Sequence, residues 1–385
     1  MMQVLFLPKW YPNEYDSYDG NFIENHAHAI QKKANIKVLF VHSEETDNKA
    51  FRILKQQNRG IDEVRIFFPK PKSNFKFINK VVSFFRYFEA QKIGYKELYK
   101  NGEKPDLIHI HVLSRPAPLA LYLQKKLQIP FVITEHWSGY LKENGKYKGF
   151  LKKLFTKFVV RKSNGVHTVS VFLKDAMQRH NLINDYVVIP NVVNTELFKP
   201  QTKDNKVPEI IFVGNILQNP KKIFDIIKGI KELKKIGKAF HLSIYGEGVD
   251  EAPAKELVKK LDLIEQISFK GTLNREGIGK AMGNSDFLIL FSDYENQPCV
   301  IPEAHAAGIP IIVPDIAGIA ELMQAELGIM VKTGSQTEFV EALKNMLNNY
   351  QTYDRNFIRM FGVKKFGEIE IAAQFHQFYQ KALSS

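Results

Sequence analysis

The sequence predicts an α/β protein made of two domains, each built on a doubly wound parallel sheet. Short, unbroken apolar runs recur along the chain, for example at residues 4–7, 131–133, 287–291 and 311–313. Runs of this kind fill strands that are buried on both faces of a parallel sheet. Segments with helical spacing separate the runs, and 385 residues are enough for two such domains.

The first predicted domain covers residues 1–190. Its first strand, at residues 4–7, is followed by a long polar loop that contains Gly20 and by a helix at residues 22–30. The remaining strands are predicted at residues 36–41, 106–111, 131–137 and 165–170, and residues 186–191 lead into the linker. A polar segment marked by prolines, residues 191–207, is the predicted linker.

The second predicted domain covers residues 208–363. Its strands are predicted at residues 209–214, 241–245, 267–271, 287–291 and 311–313. One helix runs through Lys228, and others begin at Pro302, at Ile319 and at Thr337. A last helix runs from about Lys364 to Ala382, so residues 364–385 are predicted as a separate C-terminal helix.

Composition and charge exclude several classes of protein. No apolar run approaches the ~18 to 20 residues that a membrane span needs, and the N-terminus enters the first strand without a charged leader. The single cysteine, Cys299, excludes an internal disulfide. We therefore expect a cytoplasmic protein. The net charge of +13 indicates an anionic partner, which can be nucleic acid, lipid or a phosphorylated substrate.

The largest group of candidate binding residues follows the strand at residues 287–291. A polar loop that contains Glu295 comes first, and the first turn of the next helix contains Glu303. Gly308 stops that helix, and Gly318 precedes another. Because ligands of such sheets bind at the carboxyl ends of the strands, these residues should face one crevice.

Three kinds of contact converge at this crevice. The Glu303 carboxylate suits a vicinal diol such as a ribose, and the side chains of Asn296 and Gln297 can bind hydroxyls. Free amides at the helix start near Gly318 can hold a phosphate. Together these features indicate a nucleotide sugar.

Glu295 and Glu303 enclose seven residues, and with Gly308-Ile309-Pro310 and Gly318 they resemble the nucleotide-sugar motif of the retaining glycosyltransferases of family 4. The resemblance covers nearly the whole chain. It implies the GT-B fold, in which two Rossmann-like domains face a central cleft and the last helix crosses back to the first domain. It also implies transfer of a sugar from a nucleotide diphosphate sugar to an acceptor hydroxyl, with retention at the anomeric carbon.

The resemblance assigns roles to residues of both domains. Lys221 matches the lysine that grips the diphosphate, Glu295 would hold the sugar, and His136 matches the cleft histidine of the first domain. These three are the predicted catalytic residues, and Gly20 would line the cleft near the acceptor. The predicted donor-binding residues are Glu303, Asn296, Gln297, Pro298, Gly318, Ile319, Asn215, Lys222 and Gly246.

Two departures from the family pattern concern the diphosphate. Asn215 stands where the family usually has an arginine, and the loop is one residue longer, so Lys222 could take the role assigned to Lys221. Either departure would weaken the stabilisation of leaving-group charge or move it to another cation. The sequence therefore does not decide whether Lys221 or Lys222 binds the phosphate.

The resemblance also implies that no metal and no cofactor are needed beyond the donor, a UDP- or GDP-linked sugar. The chain has no Asp-x-Asp motif, and a donor phosphate oxygen would accept the acceptor's proton. His109 and His111 alternate on one strand without a third ligand, so we expect a hydrogen-bonded structural role for them. The expected acceptor is a glycan or lipid-linked glycan in bacterial surface polysaccharide assembly.

Two alternatives stay open. A nucleotide-sugar epimerase shares the fold, but it needs acid and base carboxylates around the sugar, and the Glu295 loop with a phosphate lysine fits transfer better. A non-catalytic sugar- or nucleic-acid-binding protein would use the basic surface. Nucleic-acid modules interleave exposed aromatics with basic residues. Here the aromatics lie on helical stripes that we expect to be buried, so no nucleic-acid partner is predicted.

Two basic stretches carry apolar side chains with helical spacing. Residues 70–100 contain eight Lys or Arg and two Glu, and residues 142–162 contain eight basic residues and one acid. Basic amphipathic helices can lie on an anionic membrane, where each Lys or Arg contributes on the order of 1 kcal/mol. Alternatively, the apolar stripes of these two helices face the core of the protein rather than a membrane. We therefore include a peripheral contact with an anionic membrane surface among the predicted partners.

Overall fold

The computed structural model describes residues 1–48, 50–100, 102–202 and 207–384 of the chain. The chain divides into a first unit, Met1–Pro190 with Glu368–Ser385, and a second unit, Asn191–Gly367. Within the described residues, each unit contains one sheet with helices packed against it. Residues 203–206 of the predicted linker lie outside the described part of the chain.

The strands are numbered in chain order. Those of the first unit are β1 (Gln3–Pro8), β2 (Asn35–Glu44), β3 (Arg52–Asn58), β4 (Ile61–Pro69), β5 (Leu107–His111), β6 (Phe131–Glu135), β7 (Val166–Thr168) and β8 (Tyr186–Val188). Those of the second unit are β9 (Glu209–Val213), β10 (His241–Tyr245), β11 (Ile267–Gly271), β12 (Phe287–Ile289), β13 (Ile311–Asp315) and β14 (Gly328–Lys332).

The helices are numbered in the same way. They are α1 (Asn21–Ile30), α2 (Lys76–Leu98), α3 (Ala117–Leu127), α4 (Phe150–Lys162), α5 (Val171–Arg179), α6 (Ile223–Lys234), α7 (Glu251–Lys260), α8 (Arg275–Asn284), α9 (Val300–Ala306), α10 (Ala317–Ala320), α11 (Gln336–Asn349), α12 (Arg355–Phe366) and α13 (Glu368–Ser384). Among these helices, none combines the length and the apolar character that a bilayer crossing requires.

The first sheet has the strand order β3-β4-β2-β1-β5-β6-β7-β8. Its strands pair in parallel except for the β3–β4 hairpin at one edge. The chain leaves β1 towards β2 on one side and later returns to β5 on the other. The strand order therefore reverses between β1 and β5, and ligands of doubly wound sheets bind at such a switch point.

The second sheet has the strand order β11-β10-β9-β12-β13-β14, with parallel pairing throughout. Numbered from its own first strand, this order is 3-2-1-4-5-6, which is the arrangement of dinucleotide-binding sheets. The switch point lies between β9 and β12. The two parallel sheets with their helices confirm the predicted fold class.

Burial explains why the apolar runs predicted these strands. The side chains of β5, β6 and β12 are buried throughout, as expected for strands that helices cover on both faces. The strands β3, β4, β8 and β14 were not predicted. β3 is a polar, largely exposed edge strand, so its sequence lacks the apolar run that marks the buried strands.

The C-terminal prediction was wrong in one respect, because two helices replace the single helix from Lys364 to Ala382. Helix α12 ends at Phe366, and α13 begins at Glu368. The Phe366 carbonyl accepts a hydrogen bond from the Val193 N–H (2.9 Å), which ties the end of α12 to the second unit. Helix α13 belongs to the first unit and packs against α1.

The basic stretches form α2 and α4, and several of their aromatic and aliphatic side chains are exposed. On α2, Phe77 is 76% exposed and Phe85 is 63% exposed, and on α4, Leu151 is 78% exposed. Helix α3 packs beside both α2 and α4. The expectation that these aromatic stripes are buried is therefore wrong for the residues Phe75, Phe77, Phe84, Phe85, Phe150 and Phe158.

A chain of buried hydrogen bonds joins α13 to the first sheet. The Ile189 carbonyl lies 2.7 Å from His167 Nε2, which must donate, so His167 Nδ1 accepts from the Thr134 hydroxyl at 2.8 Å. Thr134 Oγ1 then accepts from His109 Nε2 at 2.5 Å, and His109 Nδ1 accepts from the Tyr379 hydroxyl at 2.7 Å. The Ile189 carbonyl thus fixes the tautomers of His167 and His109, and the predicted hydrogen-bonded structural role of His109 is confirmed. For His111 that prediction was wrong, because neither nitrogen of its buried ring has a hydrogen-bond partner among the described residues.

The buried histidines predict that the first unit loses stability in acid. Burial lowers the pKa of His26 to about 4 and that of His167 to about 3. An unfolded histidine has a pKa of about 6.5, so below that pH the unfolded chain binds more protons than the folded one. The free energy of unfolding should fall by up to about 1.4 kcal/mol per pH unit for each such histidine.

Urea unfolding monitored by tryptophan fluorescence checks this prediction, because Trp10 and Trp137 are the only tryptophans of the chain and both lie in the first unit. The midpoint should be lower at about pH 5.5 than at about pH 7.5, and His26→Gln should reduce the difference. The raised pKa values of Asp19, about 6, and of the buried Glu135 act in the opposite direction, but they are two groups against several buried histidines. Equal midpoints would contradict the prediction.

Candidate active site

The loop after β9 (residues 214–222, the β9 loop) meets the loop after β12 (residues 290–299, the β12 loop) at the switch point of the second sheet. The Asp293 N–H donates to the Pro220 carbonyl at 2.9 Å. Lys222, left-handed with φ +57° at the N-terminus of α6, places its Nζ 3.1 Å from Asp293 Oδ2. One backbone hydrogen bond and one ion pair therefore join the two loops.

A second ion pair joins the same loops. Lys221 Nζ contacts Glu295 Oε1, and the Ser292 hydroxyl donates to that oxygen at 2.8 Å. The Lys221 and Glu295 side chains are only 18% and 14% exposed. Two predicted catalytic residues are thus in direct contact, and the two lysines have different partners, Lys221 with Glu295 and Lys222 with Asp293.

The loop after β10 lies against the β9 loop. A Cβ added to Gly246 would lie 2.0 Å from the Gly214 carbonyl oxygen, so a side chain cannot be accommodated there. The Ile216 N–H donates to the Glu247 carbonyl at 2.9 Å. Gly246 therefore allows the close approach of two backbones. Asn215 is exposed in the same loop.

Glu303 is the most strongly perturbed carboxylate of the site. Helix α9 begins at Val300, two residues before the predicted start at Pro302, and Glu303 still lies in its first turn. Burial raises the pKa of Glu303 to about 7, while the Arg275 guanidinium, with Nη2 at 3.8 Å from Glu303 Oε1, acts to lower it. Sequence reasoning missed Arg275, because the first residue of α8 meets Glu303 only in space.

Gly318 packs directly on the β12 loop. Helix α10 begins at Ala317 rather than at the predicted Ile319, so Gly318 lies within it. A Cβ added to Gly318 would lie 2.1 Å from the Asn296 carbonyl oxygen and 3.3 Å from that of Glu295. The absence of a side chain is what brings this segment onto the loop. Ile319 and Pro298 are both buried.

The two predicted amide side chains of the β12 loop are both buried. Gln297 Oε1 accepts a hydrogen bond from the Asn191 N–H at 2.5 Å, and Asn191 Nδ2 donates to the Gln297 carbonyl at 3.2 Å. Gln297 therefore fixes the β12 loop to Asn191. A contact of the Gln297 side chain with substrate hydroxyls would require the first of these bonds to open.

The remaining predicted site residues, His136 and Gly20, lie in the first unit. The His136 ring lies 4.4 Å from the Phe22 ring and 5.6 Å from the His26 ring, and burial holds its pKa well below the usual range. Gly20 has φ +64°, and an added Cβ would lie 2.4 Å from the Trp10 carbonyl carbon. Gly20 therefore holds the loop after β1 against the start of α1.

A buried carboxylate that the sequence did not reveal organises the loops after β5 and β6. Glu135 accepts hydrogen bonds from the N–H groups of Leu113 (3.1 Å), His136 (2.9 Å) and Trp137 (2.9 Å), and from the Tyr140 hydroxyl (3.2 Å). Burial raises the pKa of Glu135, and the three backbone hydrogen bonds act to lower it. The backbone of His136 is thus fixed by its neighbour.

The thiol of Cys299 lies close to Glu303 in the same site. Burial raises the pKa of the Cys299 thiol to about 12, with a further contribution from Glu303, so the thiol stays protonated. In the described ranges, no group of three or more His, Cys, Asp or Glu side chains is arranged to hold a metal ion.

Two family models match the chain. Glycosyltransferase Family 4 matches residues 20–197, and Glycosyl transferases group 1 matches residues 193–359. Together the two matches cover residues 20–359, so the chain belongs to the glycosyltransferases that contain these two domains. The second match contains the β9 and β12 loops together with Glu303 and Gly318, and the first contains Gly20 and His136.

One relative and two solved structures illustrate the similarity. The chain is 22% identical to the putative teichuronic acid biosynthesis glycosyltransferase TuaC of Bacillus subtilis over 364 residues, which is 89% of this chain and 88% of TuaC. Sucrose-phosphate synthase from Thermosynechococcus elongatus superposes with a TM-score of 0.74 at 15% identity and full coverage of both chains. Anabaena HepE in complex with UDP and glucose gives 0.67 at 13% identity, with 99% and 100% coverage. The structural similarities establish the GT-B fold of this glycosyltransferase.

Glu303→Gln should stabilise the second unit at alkaline pH. A carboxyl pKa raised from 4.5 to about 7 favours folding below 4.5, and that contribution is lost as the pH rises through 7. At about pH 8 the buried charge should cost up to about 3 kcal/mol, which a neutral amide avoids. Thermal unfolding followed by circular dichroism at about pH 5 and about pH 8 checks this prediction.

The control is the matched substitution Glu326→Gln, in the same unit outside the site. It should leave the unfolding temperature unchanged at both pH values. A Glu303→Gln variant that is no more stable than the wild type at the higher pH would contradict the assigned burial of this carboxylate.

Proposed function

We propose that this glycosyltransferase moves a sugar from a nucleotide diphosphate sugar to a hydroxyl group of a glycan or lipid-linked acceptor, with retention at the anomeric carbon and without a metal ion. The observation that carries the proposal is the meeting of Lys221, Glu295 and the Lys222–Asp293 pair at the switch point of the second sheet. Cations and carboxylates are joined there in a position where doubly wound sheets bind nucleotides.

Lys221 and Lys222 are proposed to hold the diphosphate. The hard step of transfer is departure of the diphosphate, because negative charge builds on its oxygens, and preorganised cations stabilise that charge. Lys221 has a carboxylate partner, Glu295, that a phosphate oxygen can replace. The N-terminus of the 12-residue helix α6, where Lys222 stands, adds favourable backbone dipoles for an anion.

Glu295, once released from Lys221, is proposed to bind hydroxyls of the donor sugar. Exchange of one partner for another keeps Lys221 and Glu295 hydrogen-bonded in both states, so neither buried charge loses its partner. His136 is proposed to contact the same sugar from the first unit, and the acceptor's proton passes to a phosphate oxygen of the leaving group. This arrangement needs neither a separate base nor a cofactor.

Glu303 is proposed to accept hydrogen bonds from the ribose hydroxyls. Its carboxylate is 14% exposed, and Arg275 offsets part of its charge. A buried carboxylate discriminates strongly in favour of a ligand that donates two hydrogen bonds, because an analogue without them leaves it unsatisfied. A UDP- or GDP-linked donor agrees with the UDP and glucose bound by HepE.

Thermal stabilisation by a panel of nucleotides and nucleotide sugars tests this proposal. A ligand at 100 times its dissociation constant adds about 2.7 kcal/mol of stability, so the donor should raise the unfolding temperature of the wild type in buffer that contains EDTA. Lys221→Ala and Glu303→Ala should each weaken binding at least about tenfold, because the first removes a cation from the diphosphate and the second removes the acceptor of the ribose hydrogen bonds.

The matched control is Lys228→Ala, because Lys228 lies on α6 soon after Lys221 in the sequence but is exposed and pairs with Asp225. It should bind the donor as the wild type does. The proposal fails if no member of the panel stabilises the wild type, or if Lys221→Ala and Lys228→Ala are indistinguishable.

We also propose that the enzyme works at an anionic membrane surface through α2 and α4, in the assembly of a cell-surface glycan. Exposed aromatic side chains beside lysines are the composition that interfacial helices use. Phe77 and Phe85 alternate with Lys76 and Lys80 on α2. The biosynthetic role in the name of TuaC agrees with an acceptor of this class.

Sedimentation with phosphatidylcholine vesicles, with and without phosphatidylglycerol, tests the membrane contact. The double substitution Phe77→Ser and Phe85→Ser should reduce binding to the anionic vesicles at least about tenfold, since each buried Phe contributes about 1.5–3 kcal/mol. Phe357→Ser, which removes an exposed aromatic of the second unit, is the control and should bind normally. A wild-type protein that does not sediment with anionic vesicles at low salt would refute the contact.

A further inference from the structure

The first unit contains a ligand-sized cavity that the donor site does not use. It has a volume of about 420 Å³ and lies beside the carboxyl ends of β2 and β4. Helix α2 forms one wall, and the segment after β5 contributes Arg115. Its lining includes Ser43, Lys70, Lys80, Tyr87 and Arg115.

The cavity lining is cationic. It includes Lys70, Lys80 and Arg115 and no carboxylate. Lys70 has an exposed ion pair with Glu45 at 2.9 Å, whereas neither Lys80 nor Arg115 pairs with a carboxylate of the described ranges. Burial lowers the pKa of the neighbouring His42, Lys70 and Arg115 lower it further, and Glu44 acts to raise it.

A second cavity, of about 380 Å³, adjoins the first and shares Ser43, Tyr87 and Arg115 with it. It lies at the switch point of the first sheet, between the loops after β1 and β5. Its lining offers an indole and several hydrogen-bonding groups, which suit the ring face and hydroxyls of a sugar. The residues that supply them are Trp10, Asp16 and Asp19.

The segment that carries Arg115 is held in a strained conformation. Val112 has φ +65° and Ser114 has φ +111°, both rare for residues other than glycine and costly for a β-branched one. The Leu113 N–H donates to Glu135 at 3.1 Å, which holds the segment in place, and the Arg115 guanidinium lies 5.8 Å from the Tyr87 ring centroid. Such strain persists where the surrounding structure enforces it, often at ligand sites.

We propose that the two adjoining cavities bind an acceptor that carries a phosphate or diphosphate group next to a sugar, with Arg115, Lys80 and Lys70 on the phosphate and the Trp10 side on the sugar. This inference rests on the proposed function, because it takes the ligand of the first unit to be the acceptor. The planar guanidinium of Arg115 can bind phosphate oxygens in a bidentate way, and the two lysines add point charges.

Isothermal titration calorimetry with inorganic pyrophosphate tests the phosphate part of this proposal. The titration is carried out on the full chain with excess UDP, so that the diphosphate site of the second unit is occupied. Pyrophosphate should bind the wild type, and Arg115→Ala and Lys80→Ala should each weaken binding at least about tenfold. Lys92→Ala, which removes an exposed lysine of the same helix outside the cavity, should bind as the wild type does.

The outcomes separate this proposal from the proposed function. UDP is also titrated by itself, and failure of UDP to bind would contradict the donor site. In that case pyrophosphate is titrated without UDP into Lys221→Ala, so that binding or its absence reports on the cavity alone. Equal losses in Arg115→Ala and Lys92→Ala would overturn the cavity site in favour of general charge attraction. A loss of binding to phosphatidylglycerol vesicles in Arg115→Ala, with unchanged pyrophosphate affinity, would overturn it in favour of a lipid headgroup.

Discussion

The contact between Lys221 and Glu295 is the interaction on which the site of the second unit depends. It connects the loop after β9 with the loop after β12, and these loops are neighbours only because the strand order reverses between those two strands. The Lys222–Asp293 pair and the hydrogen bond from Asp293 to Pro220 repeat the connection. Partly buried charges of this kind are tolerated when each has a partner, and a diphosphate offers Lys221 a partner of the same sign as the one it leaves.

Close contacts between backbones also hold the loops of the site together. Gly246 lets the loop after β10 touch the Gly214 carbonyl, and Gly318 lets α10 rest on the carbonyl of Asn296. A methyl group at either position would collide with a carbonyl oxygen that belongs to the neighbouring loop. The site is therefore defined by backbone geometry as much as by charged side chains, and Glu303 is set into it from α9 with Arg275 as its counter-charge.

Much of the fold could be predicted because buried parallel strands require apolar runs. The glutamate pair with its glycines predicted a site at the loop after β12, where Glu295 contacts Lys221. What the sequence could not show depends on contacts in three dimensions. Arg275 meets Glu303 through packing of α8 against α9, and the strain at Val112 has no signature in residue type. The stripes of α2 and α4 have the spacing of buried faces, yet no element of the described chain covers Phe77 or Phe85. Helical periodicity in the sequence shows that one face of a helix is apolar, but it does not show what packs against that face.

The most direct test of the account is hydrogen–deuterium exchange of the whole chain with and without the nucleotide sugar that stabilises it most. Backbone amides in residues 214–222, 292–303 and 315–320 should exchange more slowly when the nucleotide sugar is bound. These segments hold the lysines, the two glutamates and Gly318. Slower exchange confined to other segments, with these three unchanged, would contradict the assignment of the donor site.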